Sequence, residues 1–131
     1  MPIDVFIEHE RRRVTQVVRD PVSVDDVVAA ITQQAHSDAW THGTLVRCEH
    51  HAWVPLPTEI RHIAGHLEHL VRTHEARGPV AVVCQPGSAL FGMFRMYGVL
   101  VEKWFPVAEF ETEAAAETWL TGVAASKRGP S

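Results

Sequence analysis

The stretch from Pro79 to Trp104 most constrains what this chain can fold into. It begins with an apolar run, Val80-Ala81-Val82-Val83-Cys84, too short for a helix and rich in β-branched residues, as a buried strand is. Gln85-Pro86-Gly87-Ser88 breaks the run, with Ser88 placed to cap a helix. The most apolar helical segment follows, Ala89 to Trp104, with Leu90, Met93, Phe94, Tyr97, Leu100, Val101 and Trp104 on one face. A strand feeding a helix through a tight turn is half of a βαβ unit.

The rest of the chain repeats that unit. Ile3 to Ile7 and Val14 to Val18 read as antiparallel strands joined by a charged turn, His9 to Arg13, whose arginines are expected in solvent. Ser23 and Asp26 form a capping-box pattern before a helix with Val24, Val27, Val28, Ile31 and Ala35 on one face. His36 to Gly43 connects to a strand, Thr44 to Cys48, and Glu49 to Pro57 is a long turn containing Trp53. Thr58 is the expected N-cap of a second helix with Ile60, Ile63, Ala64, Leu67, Leu70 and Val71 inward, ended by Gly78-Pro79. A last strand, Val107 to Phe110, precedes a helix capped by Thr112 with Ala116, Trp119, Leu120 and Val123 inward. The order β-β-α-β-α-β-α-β-α implies an α/β fold, a mixed and mainly parallel sheet with helices packed on it. Residues 1–123 are expected as one domain and 124–131 as a flexible C-terminal tail.

With 131 residues the chain is long enough to bury a core without disulfides or metals. A formal net charge of -4 and the lack of a long basic run argue against nucleic-acid binding. No stretch reaches the length of a membrane span, and the N-terminus carries no apolar leader, so a cytoplasmic location is expected. Cys48 and Cys84 end buried strands and are expected as free thiols.

Several segments resemble a known family. Met1-Pro2-Ile3 through His9-Glu10-Arg11-Arg12 resembles the opening of bacterial SpoIIAA-like proteins of the STAS/SEC14-related group. Leu90-Phe91-Gly92-Met93-Phe94-Arg95-Met96-Tyr97 is similar to their Phe-Gly-x-x-Arg-Met-Tyr helix, and Val107 to Phe110 with Glu113 to Leu120 resembles their closing strand and helix. The resemblance implies a SpoIIAA-like single domain and a binding rather than catalytic role. Relatives include anti-sigma-factor antagonists switched by phosphorylation and lipid-carrying SEC14-type domains. The chain departs from the pattern at Gln85-Pro86-Gly87-Ser88, where acidic residues are common in the family. The turn that carries the phosphorylated serine in the antagonists has none here, and Thr58 is its only hydroxyl.

Nine histidines are an unusual number for this length. His62, His66 and His69 share one helix face and could ligate a metal with His50, His51 and Glu59, but that face lies opposite the apolar one and is expected in solvent. Cys84 before a helix could be an activated nucleophile, yet no histidine has a matching spacing and a buried structural thiol is the better reading. Asp25-Asp26 suit a helix N-terminus, and no P-loop, nucleophile elbow or dinucleotide fingerprint occurs. No catalytic group and no cofactor is therefore expected.

The remaining candidates lie on the third helix. Phe91, Met96 and Val99, with Arg95 among them, fall outside the arc that a sheet can cover. They mark a contact surface for a second copy or an unknown protein partner. The leading expectation is a non-catalytic regulatory module acting through protein contacts as a homodimer. The alternative is a carrier of a lipid-like or other apolar small molecule, which a closed apolar cavity beneath the second and third helices would favour.

Overall fold

The computed structural model describes residues 3–19, 22–49, 56–74, 77–84 and 89–128, with side chains at all of these except 89–91 and 124–128. Within them the elements are β1 (Ile3–Glu8), β2 (Arg13–Arg19), α1 (Val24–Ala35), β3 (Gly43–Glu49), α2 (Pro57–Thr73), β4 (Val80–Val83), α3 (Ala89–Val101), β5 (Val107–Phe110) and α4 (Glu113–Arg128). This is the expected order, in an α/β domain built on a five-stranded mixed sheet.

The strands lie in the order β1-β2-β3-β4-β5, with β1 antiparallel to β2 and every later pair parallel. Each crossover from β2 onward steps the same way, and right-handed crossovers that step the same way put their helices on the same face. Accordingly α1, α2 and α3 share one core with Ile3, Val18, Val46, Val80 and Val82 of the sheet. Among the described residues no strand follows α4, and it covers the opposite face, where Ala116 and Leu120 meet Leu45 and Ala81.

Local chemistry explains most boundaries. Ser23 Oγ accepts from the Asp26 N–H at 3.2 Å while Asp26 Oδ2 accepts from the Ser23 N–H at 2.9 Å, a complete capping box. Thr112 Oγ1 accepts from the Ala115 N–H at 3.2 Å at the start of α4.

Five details differ from the sequence expectation. Arg13 does not sit in a solvated turn. It opens β2, is buried, and pairs with Glu117 of α4 at 3.3 Å. The tight turn ends instead at Arg12, whose φ of 51° is left-handed. Thr58 is not the N-cap of α2: Leu56 is, with Pro57 in the first turn and Glu59 accepting the Leu56 N–H at 2.8 Å. Proline's fixed φ and missing N–H let the helix start two residues earlier. α3 stops at Val101 rather than Trp104, because the chain turns to bury Phe105, and Leu100 is left 36% exposed. Finally, α4 continues to Arg128, into the segment expected as a tail. Ser88, Trp53, His50 and His51 lie outside the described residues.

Candidate functional site

Between the sheet and α1, α2 and α3 lies a cavity of about 80 Å³. Its walls include Val18, Val46 and Val82 from the sheet, Val27 and Ile31 from α1, Ile60 and Ile63 from α2, and Phe94 from α3. Three polar side chains interrupt this lining: Gln16, Arg77 and Tyr97.

The segment carrying Arg77 is docked against the connections that precede neighbouring strands. The Gly78 N–H donates to the Trp40 carbonyl at 3.2 Å, the Thr44 N–H to Pro79 at 2.8 Å, and the Val80 N–H to Pro106 at 2.9 Å. A Cβ on residue 78 would stand 2.3 Å from the His42 carbonyl oxygen, so only glycine permits this approach. The approach places the Arg77 guanidinium 5.0 Å from the ring centres of both Trp40 and Phe105.

Arg77 is buried, with only 3% of its surface exposed. Its Nη2 donates to Gln34 Oε1 at 3.2 Å, and the guanidinium interacts with the Tyr97 hydroxyl. Gln34 Oε1 also accepts from Gln16 Nε2 at 3.2 Å, while Gln34 Nε2 donates to Thr44 Oγ1 at 2.9 Å. Arg77 Nε has no hydrogen-bond partner, and no carboxylate pairs with the guanidinium among the described residues. Burial lowers the Arg77 pKa from its ordinary value, with Tyr97 opposing the shift. Burial likewise raises that of Tyr97, with Arg77 opposing it. The cavity therefore combines apolar walls with one buried cation and two neutral hydrogen-bonding groups.

The residues singled out from sequence fare differently. His62 and His69 are exposed, but His66 is only partly so and faces α1 rather than open solvent, with Nε2 2.8 Å from Thr32 Oγ1. The Thr32 hydroxyl donates to the Val28 carbonyl at 2.8 Å, which leaves its oxygen to accept from His66. Among the described residues no group of three or more His, Cys, Asp or Glu is placed to hold a metal ion. Cys48 and Cys84 are free, and burial pushes their thiols up to about 12 and about 11. Such thiols carry little thiolate at neutral pH, the opposite of what an activated nucleophile needs.

On α3, Met96 is half-buried and packs against the core, Arg95 is exposed, and Val99 is 67% exposed. The Phe91 side chain lies outside the described set. Val99 and Leu100 thus form a smaller apolar surface than the sequence pattern suggested. No helix among the described residues is long and apolar enough to cross a membrane.

Sequence reasoning passed over Arg77, Gln16 and Gln34. A signal existed for the glutamines: Gln16 has the same strand parity as Val14 and Val18, and Gln34 lies one turn from Ile31. A second pair was also missed: His9 Nδ1 lies 3.2 Å from His42 Nε2, with Asp38 3.6 Å from His9.

No family model matches the chain, and neither a curated protein nor a solved structure matches it.

Proposed function

We propose that this protein is a non-catalytic binding module whose ligand is a small, largely apolar molecule held between the sheet and helices α1 to α3. The cavity itself carries this reading: it lies beneath helices α2 and α3, its walls are aliphatic or aromatic, and its polar groups are few. The strand order, the parallel crossovers and the Leu90 to Tyr97 segment support membership of the SpoIIAA-like, STAS-related group, in which binding roles are common. The raised thiol pKa values of Cys48 and Cys84 count against a cysteine nucleophile.

Methyl-resolved NMR of the full chain under xenon pressure tests the proposal. Xenon enters dry apolar cavities without needing a polar partner. Shifts confined to the methyl groups of Ile31, Val46, Ile63 and Val82 are expected, and no shift at these groups would sink the reading.

A second reading, a contact surface on α3 for another copy of the chain, is favoured by the adjacent exposure of Val99 and Leu100. Light scattering of wild type and Val99→Glu checks it. A dimer that becomes a folded monomer supports the surface, and a wild type already monomeric at high concentration removes it. Val99 is the better probe than Met96, whose substitution would also disturb the core.

A further inference from the structure

Arg77 is an unusual wall for an apolar cavity. A buried guanidinium loses its hydration, and the protein normally compensates with a carboxylate. Here the described surroundings offer two aromatic rings, the Gln34 amide oxygen and the Tyr97 hydroxyl, none of them an anion. One donor, Nε, is left with no acceptor. Guanidinium donors form a planar fork that matches a carboxylate. A guanidinium so placed is suited to receive an anion.

We propose that the cavity takes a short-chain monocarboxylate of about three or four carbons, with its carboxylate on Arg77 and its alkyl chain among the aliphatic walls. This rests on the cavity being a binding site, as argued above. Three observations set the ligand class. First, Arg77 is the single cation lining the cavity among the described residues, so one negative charge is matched and a phosphate dianion is not. Second, a volume of about 80 Å³ is roughly half of the 150 Å³ that admits benzene. That suits a few carbon atoms and excludes a long acyl chain. Third, the polar groups are not spread evenly. Arg77 closes the cavity beside the amino end of β4, while Val18, Ile3 and Ile60 line the part nearest the carboxyl end of β2 and the start of α2. A molecule with one charged end and one apolar end fits that asymmetry. The Tyr97 hydroxyl, which accepts from the guanidinium and lines the same cavity, has its own proton to donate to the second carboxylate oxygen.

Butyrate, butyramide and inorganic phosphate, each titrated into the full chain and followed by the same methyl resonances, test this. Butyrate is expected to bind saturably, with butyramide at least roughly tenfold weaker and phosphate without effect on the cavity methyls. Arg77→Met should lose butyrate binding while keeping the xenon response, which shows that the cavity is intact. Arg77→Lys should bind more weakly than wild type because it lacks the planar fork. Equal binding of butyrate and butyramide, saturable phosphate binding through Arg77, or undiminished butyrate binding by Arg77→Met would each overturn the proposal. If xenon enters and butyrate does not bind, the monocarboxylate fails and the apolar binding site stands. If neither enters, both fall.

Discussion

The two faces of the sheet are built by different means. On one, three helices arrive in succession and each brings large side chains, Ile31 from α1, Ile60, Ile63 and Leu67 from α2, and Phe94 and Tyr97 from α3. They meet over a cavity, and a buried network of Gln16, Gln34 and Arg77 runs along its edge. On the other face a single helix, α4, lies on β3, β4 and β5. Small residues allow close contact there: Ala81 and Ala116 are fully buried, and Leu45 and Leu120 fill the space between. Phe110 and Trp119 close the end with ring centres 5.6 Å apart. Two elements with small contact residues can approach until they touch everywhere, whereas four elements with bulky ones leave a gap. The face under α4 is closely packed, and the other, with the larger core, has room for a guest.

That contrast can be broken most directly at Leu120. Its truncation to alanine opens a hole in the tight face that α4 cannot collapse without losing Ala116 on Ala81. Leu120→Ala should cost about 2–5 kcal/mol in denaturant unfolding. A loss below about 1 kcal/mol would mean that the face packs less closely than described.

Arg77→Met should behave in the opposite way despite equal burial. Removing an uncompensated buried cation leaves stability unchanged or raises it, by up to about 2 kcal/mol. A large loss in the same unfolding measurement would show that the stacking on Trp40 and Phe105 outweighs the desolvation of the charge. Val82→Ile adds one methyl group to the cavity wall. It should stabilise by about 0.5–1 kcal/mol and weaken any guest, since it takes up space that is now empty. Destabilisation would indicate that the cavity is narrower at Val82 than elsewhere.

The smallest effect concerns pH. His66, between α1 and α2, is held below its ordinary pKa by burial first, then by His69 and His62. His42 is lowered in the same direction by burial, then by Arg12 and His9, with Asp38 opposing. For both, the folded state favours the neutral ring, so the unfolded chain takes up its proton first as pH falls. Stability should be intact above about pH 6.5 and decline below it. His66→Asn keeps a donor toward Thr32 and should flatten that decline in thermal unfolding between pH 5 and 7, values set about the ordinary histidine pKa. An unchanged slope would place the titration at His42 instead.

Much of the scaffold was legible because strands and helices announce themselves locally. The β-branched run at Val80 and the Ser23 box each depend on neighbours in sequence, whereas α2 ends at Thr73, ahead of the expected Gly78-Pro79 stop. The cavity was not legible in the same way. Trp40, Arg77 and Phe105 come from three separate connections, and no spacing in the chain reveals that their rings and guanidinium meet. His66 was expected in solvent with His62 and His69, but a wheel does not show that a second helix brings Thr32 to that side and half-buries it. Thr58 was displaced as a cap by the proline before it, a local competition that propensity alone misjudges. Met96 looked unsupported beside its own helix and finds support from the core around it.

The strand order has a consequence for how the molecule comes into being. Every strand pairs with the one made just before it, so the sheet can grow in the direction of synthesis by closing one connection at a time. The helices on one side emerge along with it. The other side waits. Leu45 and Ala81 stay bare until α4 leaves the ribosome, and that helix is then tied to β2 and β3 through Arg13 on Glu117 and Arg47 on Glu113. A nascent chain halted before Glu113 would leave that apolar sheet surface uncovered and prone to aggregation until α4 is made.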